Sequence, residues 1–183
     1  MKKYAYLTFI IFSFSLAFYL YKGHLNKKTI IYANGILERY IKDPISEGLY
    51  ALEELRSLTN KNSGNIQVRS IYLNILLLEK QYIQGLEQIK IINKNSPVAL
   101  SKLNECILTE RVGREPGNCY QQATKLFSAK NNHDTNYILA LKFSQDPSFR
   151  SERSRLVKAG KITKEAEDII DMDKQDFLNT FYP

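Results

Sequence analysis

The chain has 183 residues, a net charge of +7 and no tryptophan. Five lysines and no acids fall in residues 1–28, which leaves 21 basic and 19 acidic residues in the rest. A body so near neutrality argues against nucleic-acid binding, and about 155 residues suffice for a real core.

The first element is apolar. Met1-Lys2-Lys3 precedes an uncharged run from Tyr4 to Tyr21, and Lys22, Lys27 and Lys28 follow. Eighteen helical residues span about 27 Å, close to a bilayer core. Tyr4, Tyr6, Tyr19 and Tyr21 lie near its ends, where amphipathic rings prefer the headgroup layer. Ser15-Leu16-Ala17 offers a cleavage site, but cutting there leaves Phe18–Tyr21 as an apolar stub. We therefore expect residues 1–28 to be an uncleaved signal-anchor, with cleavage and release to the periplasm as the alternative. The flanking charges are nearly balanced. The short basic start and the even cysteine count place the body, residues 29–183, outside the cytoplasm. Richness in Lys, Asn and Ile suggests a bacterial genome, hence a single-pass inner-membrane protein with a periplasmic body.

Apolar residues in the body recur at three and four, the period of helices, and strict alternation is absent. Thr29–Lys42 is the first helix expected. Asp43 caps the next with Pro44 at its first position, and Ile45, Leu49, Leu52, Leu55 and Leu58 form its stripe. After the loop 60–65, Ile66–Lys80 and Tyr82–Ile92 make a pair. Ser96-Pro97 opens a helix to about Arg111. Val112–Asn118 turns, and Cys119–Lys130 returns. Thr135–Phe143 follows a break capped by Asp134 or Thr135. Ser148–Ala159 ends at Gly160, and one last helix starts at Thr163.

Cys106 and Cys119 flank a turn, where a hairpin brings such positions together. A disulfide there is expected if the body is exported, with two unpaired core cysteines as the alternative. Their spacing does not suit a metal site. His24 lies among the juxtamembrane lysines and His133 in a helix break. No phosphate loop, G-x-S-x-G or H-E-x-x-H occurs, so no catalytic, cofactor or metal residues are expected. Basic residues from Arg150 to Lys164 precede acids from Glu165 to Asp176, and antiparallel helices would pair those faces.

Ala51–Leu58 lies over Gly85–Ile92 at an offset of 34 residues, and Ala123–Phe127 repeats the pattern 38 further on. A small residue with a large apolar one four later recurs as Ala51/Leu55, Gly85/Ile89 and Ala123/Phe127, and Pro97 follows the second copy. This pattern resembles the tetratricopeptide repeat family. It lacks that family's aromatic-then-Leu-Gly signature in the first helix, and the plain alternative is an irregular helical bundle. The resemblance implies an all-α fold of stacked antiparallel hairpins. Its concave surface would be lined by Gln67, Ser70, Asn74, Ser101, Asn104 and Arg111. The expected function is a membrane-anchored module of the cell envelope that binds another protein. The alternative is a periplasmic immunity protein that neutralises a secreted toxin. Neither needs a cofactor, a small-molecule substrate or nucleic acid.

Overall fold

The computed structural model describes residues 27–183, so the expected anchor, Tyr4–Tyr21, lies outside them. Among the described residues there are ten helices and no strand. No described helix is long and apolar enough to cross a membrane. The chain forms two compact units, the first ending at Asn95 and the second running from Ser96 to Pro183.

Unit one holds α1 (Lys27–Lys42), α2 (Pro44–Lys61), α3 (Ile66–Leu78) and α4 (Tyr82–Asn95). The α1–α2 joint is a single residue. Asp43 accepts the Ser46 N–H at 3.2 Å while Pro44 takes the first helical position, as the sequence implies. Tyr32 reaches Glu54 and Arg39 reaches Glu47, the register of antiparallel helices. Each helix packs on its successor, and α1 also packs on α3. The core collects Ala33, Ile36 and Tyr40, Ala51, Leu52 and Leu55, and Val68, Ile71, Tyr72, Ile75 and Leu76. Leu86, Ile89 and Ile92 of α4 are buried as well.

Ile45 and Leu49, expected in the buried stripe of α2, are instead exposed, Ile45 almost fully. Only the C-terminal part of that stripe faces the core. Gly48 has a steric reason: a Cβ there would sit 3.2 Å from Oε1 of Glu79. That oxygen accepts the Tyr40 hydroxyl at 2.6 Å. Burial, with the carboxylate beside it, pushes the Tyr40 phenol well above its ordinary range.

Unit two holds α5 (Ala99–Arg111), α6 (Cys119–Ala129), α7 (Thr135–Phe143), α8 (Phe149–Lys158), α9 (Lys164–Asp171) and α10 (Lys174–Phe181). Helix α5 packs on α6 and α7, and α7 also packs on α6, α8 and α9. A disulfide joins Cys106 of α5 to Cys119 of α6, with Cα atoms 5.5 Å apart. Ala123 and Phe127 are fully buried beside it. Of the expected C-terminal charge pairing between helices, Arg153 makes the contact, meeting Asp171 at 2.8 Å and Glu167 at 3.4 Å, whereas Arg155 pairs with Glu152 of its own helix. The single helix expected from Thr163 is two. Thr163 caps α9, and Asp173 starts α10 by accepting the Asp176 N–H at 2.8 Å. The break costs little because Asp173 satisfies an N–H that an uninterrupted helix would have bonded internally.

Helix ends show a recurrent chemistry. Helices α3, α5, α6, α7 and α8 each finish on a left-handed residue: Lys80, Gly113, Asn131, Gln145 and Gly160. In each, the next N–H reaches back to a carbonyl, as Gln81 does to Leu76 at 2.8 Å and Lys161 to Leu156 at 3.0 Å. This Schellman closure satisfies terminal carbonyls and reverses the chain sharply. Gly160 was readable as such a stop. Lys80 and Gln145 were not, since only glycine and asparagine advertise the left-handed region.

Candidate functional site

The six side chains expected to line a concave surface lie on α3 and α5. Gln67, Ser70 and Asn74 belong to unit one, and Ser101, Asn104 and Arg111 to unit two. Gln67 and Arg111 are half-buried. Ser70, Asn74, Ser101 and Asn104 are buried rather than displayed on an open polar face. The reason lies in their helices. Every residue from Val68 to Leu76 of α3 is buried, and α5 is buried at six positions. A helix apolar on most sides is enclosed by neighbours, so its polar residues are enclosed with it.

Ser70 satisfies its hydroxyl within α3 by donating to the Ile66 carbonyl at 2.9 Å. Beside it stands Arg69, which the sequence reading did not single out. Arg69 is 6% exposed. It donates to the Gln88 side-chain oxygen and, at 3.1 Å, to the Ser63 carbonyl. Both acceptors are neutral, and Nε has no hydrogen-bond partner among the described residues. Burial pulls the guanidinium pKa down, with no compensating acid. A buried cation held only by neutral oxygens is costly for the fold. The sequence signal was an arginine between Val68 and Ile71 in a helix otherwise without charge.

In unit two, α5 meets the C-terminal segment. Asn104 is 4% exposed, and its Oδ1 accepts the Tyr182 hydroxyl at 3.2 Å. Its Nδ2 has no partner among the described residues. Arg111 donates through Nε to the Tyr182 carbonyl. Glu110 takes two donors, Lys174 Nζ at 2.9 Å and the Tyr120 hydroxyl at 2.6 Å. Burial and this carboxylate push the Tyr120 phenol far above its ordinary range. Lys174 also lies over the rings of Tyr120 and Phe143, 5.0 and 5.5 Å from their centroids.

His133 stacks on Tyr137 at 4.6 Å, and its Nδ1 lies 3.3 Å from Arg155 Nη2. Asp134 next to it is committed as the α7 cap, accepting the Tyr137 N–H at 3.0 Å. No group of three or more His, Cys, Asp or Glu among the described residues could hold a metal ion. What the arrangement offers is hydrogen bonding: Arg69 Nε on α3 and Asn104 Nδ2 on α5 are buried donors lacking acceptors among the described residues. Comparison with models of protein families, with curated proteins and with solved structures finds no match.

Proposed function

We propose that the protein is a membrane-anchored binding module of the bacterial cell envelope. It would be held by residues 4–21 in the inner membrane, with its helical body in the periplasm. On this reading the hairpins are a short tetratricopeptide-like array. It binds another protein through α3 and α5 and performs no turnover of its own. Of the expected lining, half-buried Gln67 and Arg111 would meet the partner, while Arg69, Ser70, Asn74, Ser101 and Asn104 are buried and would shape the binding faces from beneath.

One observation carries the proposal. Among the described residues, Arg69 Nε and Asn104 Nδ2 are buried donors without acceptors. Each such group costs about 1–3 kcal/mol, which an apolar residue of similar shape would avoid. Side chains retained at a cost to the fold fit a role outside it. The resemblance of Ala51, Gly85 and Ala123, all buried, to the close-contact positions of helical repeats supports the architecture.

Arg69→Met separates the two roles. The substitution removes a buried cation and keeps most of the packing volume. The full chain in detergent should melt at the same temperature or higher, by up to about 1 kcal/mol in stability. Partner recovery from solubilised membranes under non-reducing conditions should fall to background. A destabilised variant that still recovers its partner would make Arg69 purely structural.

A further inference from the structure

Unit two carries an asymmetry in how its C-terminal elements are held. Helix α9 is tied into the body at its middle and its C-terminal end. Arg153 pairs with Glu167 and Asp171, and Lys142 donates to the carbonyls of Ile170, at 2.5 Å, and Met172. The chain then leaves helical geometry at Met172 (φ −53°, ψ 140°) and Asp173 (φ −64°, ψ 164°). Beyond this joint comes α10, only eight residues long. A helix that short is marginal in isolation, so its order comes from what it lies against.

Its contacts are those of a bound peptide. Phe177 meets Phe143 edge-on at 5.2 Å, an aromatic anchor on α7. Lys174 is clamped by Glu110 and two rings. At the far end Tyr182 presents its hydroxyl to Asn104 and its main-chain carbonyl to Arg111. The fit is incomplete, because Asn104 Nδ2 is left without an acceptor among the described residues. A carboxamide offers an NH2 donor group and a carbonyl acceptor side by side in one plane. A peptide group offers the complementary pair, whereas a phenol fills one of the two.

We propose that the α5–α7 face of unit two is a peptide-binding groove, and that the chain's own segment Lys174–Pro183 occupies it as a displaceable intramolecular ligand. The partner this groove fits is a peptide segment with a cation and an aromatic three residues apart, followed by backbone that pairs with both arms of the Asn104 amide. Such a partner competes with Lys174, Phe177 and Tyr182 for Glu110, Phe143 and Arg111. The joint at Met172–Asp173 is the hinge on which the segment leaves, while α9 stays fixed through Lys142 and Arg153. This inference rests on the reading of α5 as a binding face.

The test uses the full chain with a protease site inserted between Met172 and Asp173, and a fluorescein-labelled synthetic peptide of residues 173–183. After cleavage, the helicity of the remaining body should persist. The labelled peptide should exchange into the groove with a saturable rise in anisotropy. Arg111→Ala should weaken it by roughly 10-fold or more, the loss expected for a hydrogen bond with a charged donor. A peptide carrying Phe177→Ala should fail to compete, a control that leaves the protein untouched. Collapse of the body on cleavage would overturn the proposal, as would a peptide that never rebinds or binds equally well without Phe177. In either case the segment is an ordinary part of the core. Exchange needs no partner, so its success with no partner recovered would count against the proposed function alone. A recovered partner with no exchange would count against this inference alone.

Discussion

Truncating Phe127 to alanine should lower the stability of unit two by about 3–5 kcal/mol, the range for a large aromatic removed from a packed core. Phe127 is fully buried on α6, and its ring meets Tyr137 of α7 edge-on at 6.3 Å. Its loss opens a cavity between two helices whose backbones are already fixed, on one side by the disulfide and on the other by the Asp134 cap. Such sites collapse poorly, so the upper part of the range applies. Lys125→Ala, exposed on the same helix, should change stability by less than about 0.5 kcal/mol. Urea unfolding followed by circular dichroism checks both. A Phe127→Ala shift below about 1 kcal/mol would mean that α6 does not pack as described.

Removal of the disulfide has the next largest effect. Cys106 and Cys119 are 13 residues apart in sequence. Closing a ring of that size restricts the unfolded chain and is worth about 3 kcal/mol. The double variant Cys106→Ala with Cys119→Ala should lose close to that amount. Its urea dependence should steepen, because an uncrosslinked denatured chain exposes more surface. Reductant acting on the unsubstituted chain should shift the midpoint by a similar amount and leave the double variant unchanged. Equal midpoints for oxidised and reduced protein would show that the bond contributes nothing to the fold.

Features legible in the sequence were those decided by chemistry within a few residues. Asp43 with Pro44, Asp134 and Thr163 each close a helix start with their own side chain or ring, and all three starts are where that chemistry puts them. The hairpin turn between Cys106 and Cys119 was readable for the same reason, and the disulfide follows from it. Less legible were features set by what packs against a helix. Periodicity fixes the angular position of Ser70, Asn74, Ser101 and Asn104 on α3 and α5. It does not say how many neighbours surround those helices, and four side chains expected on an open face are buried. The clue was the run Ile71–Leu78, too apolar for a helix with a wet side. The opposite error concerned Ile45 and Leu49, which continue the stripe of α2 but are exposed. The break at Met172–Asp173 escaped because the apolar period runs through it, and only Asp173 marks the restart.

Site-specific photo-crosslinking in intact cells tests the central claim most directly. A photoreactive phenylalanine derivative replaces, one at a time, Gln67 on α3, Arg111 on α5, and Lys90 and Lys125 on the exposed sides of α4 and α6. Illumination should yield a discrete higher-mass adduct from positions 67 and 111 and none from 90 and 125. Adducts from Lys90 or Lys125 alone, or none from any position in a folded and expressed protein, would contradict a module that works by binding another protein through α3 and α5.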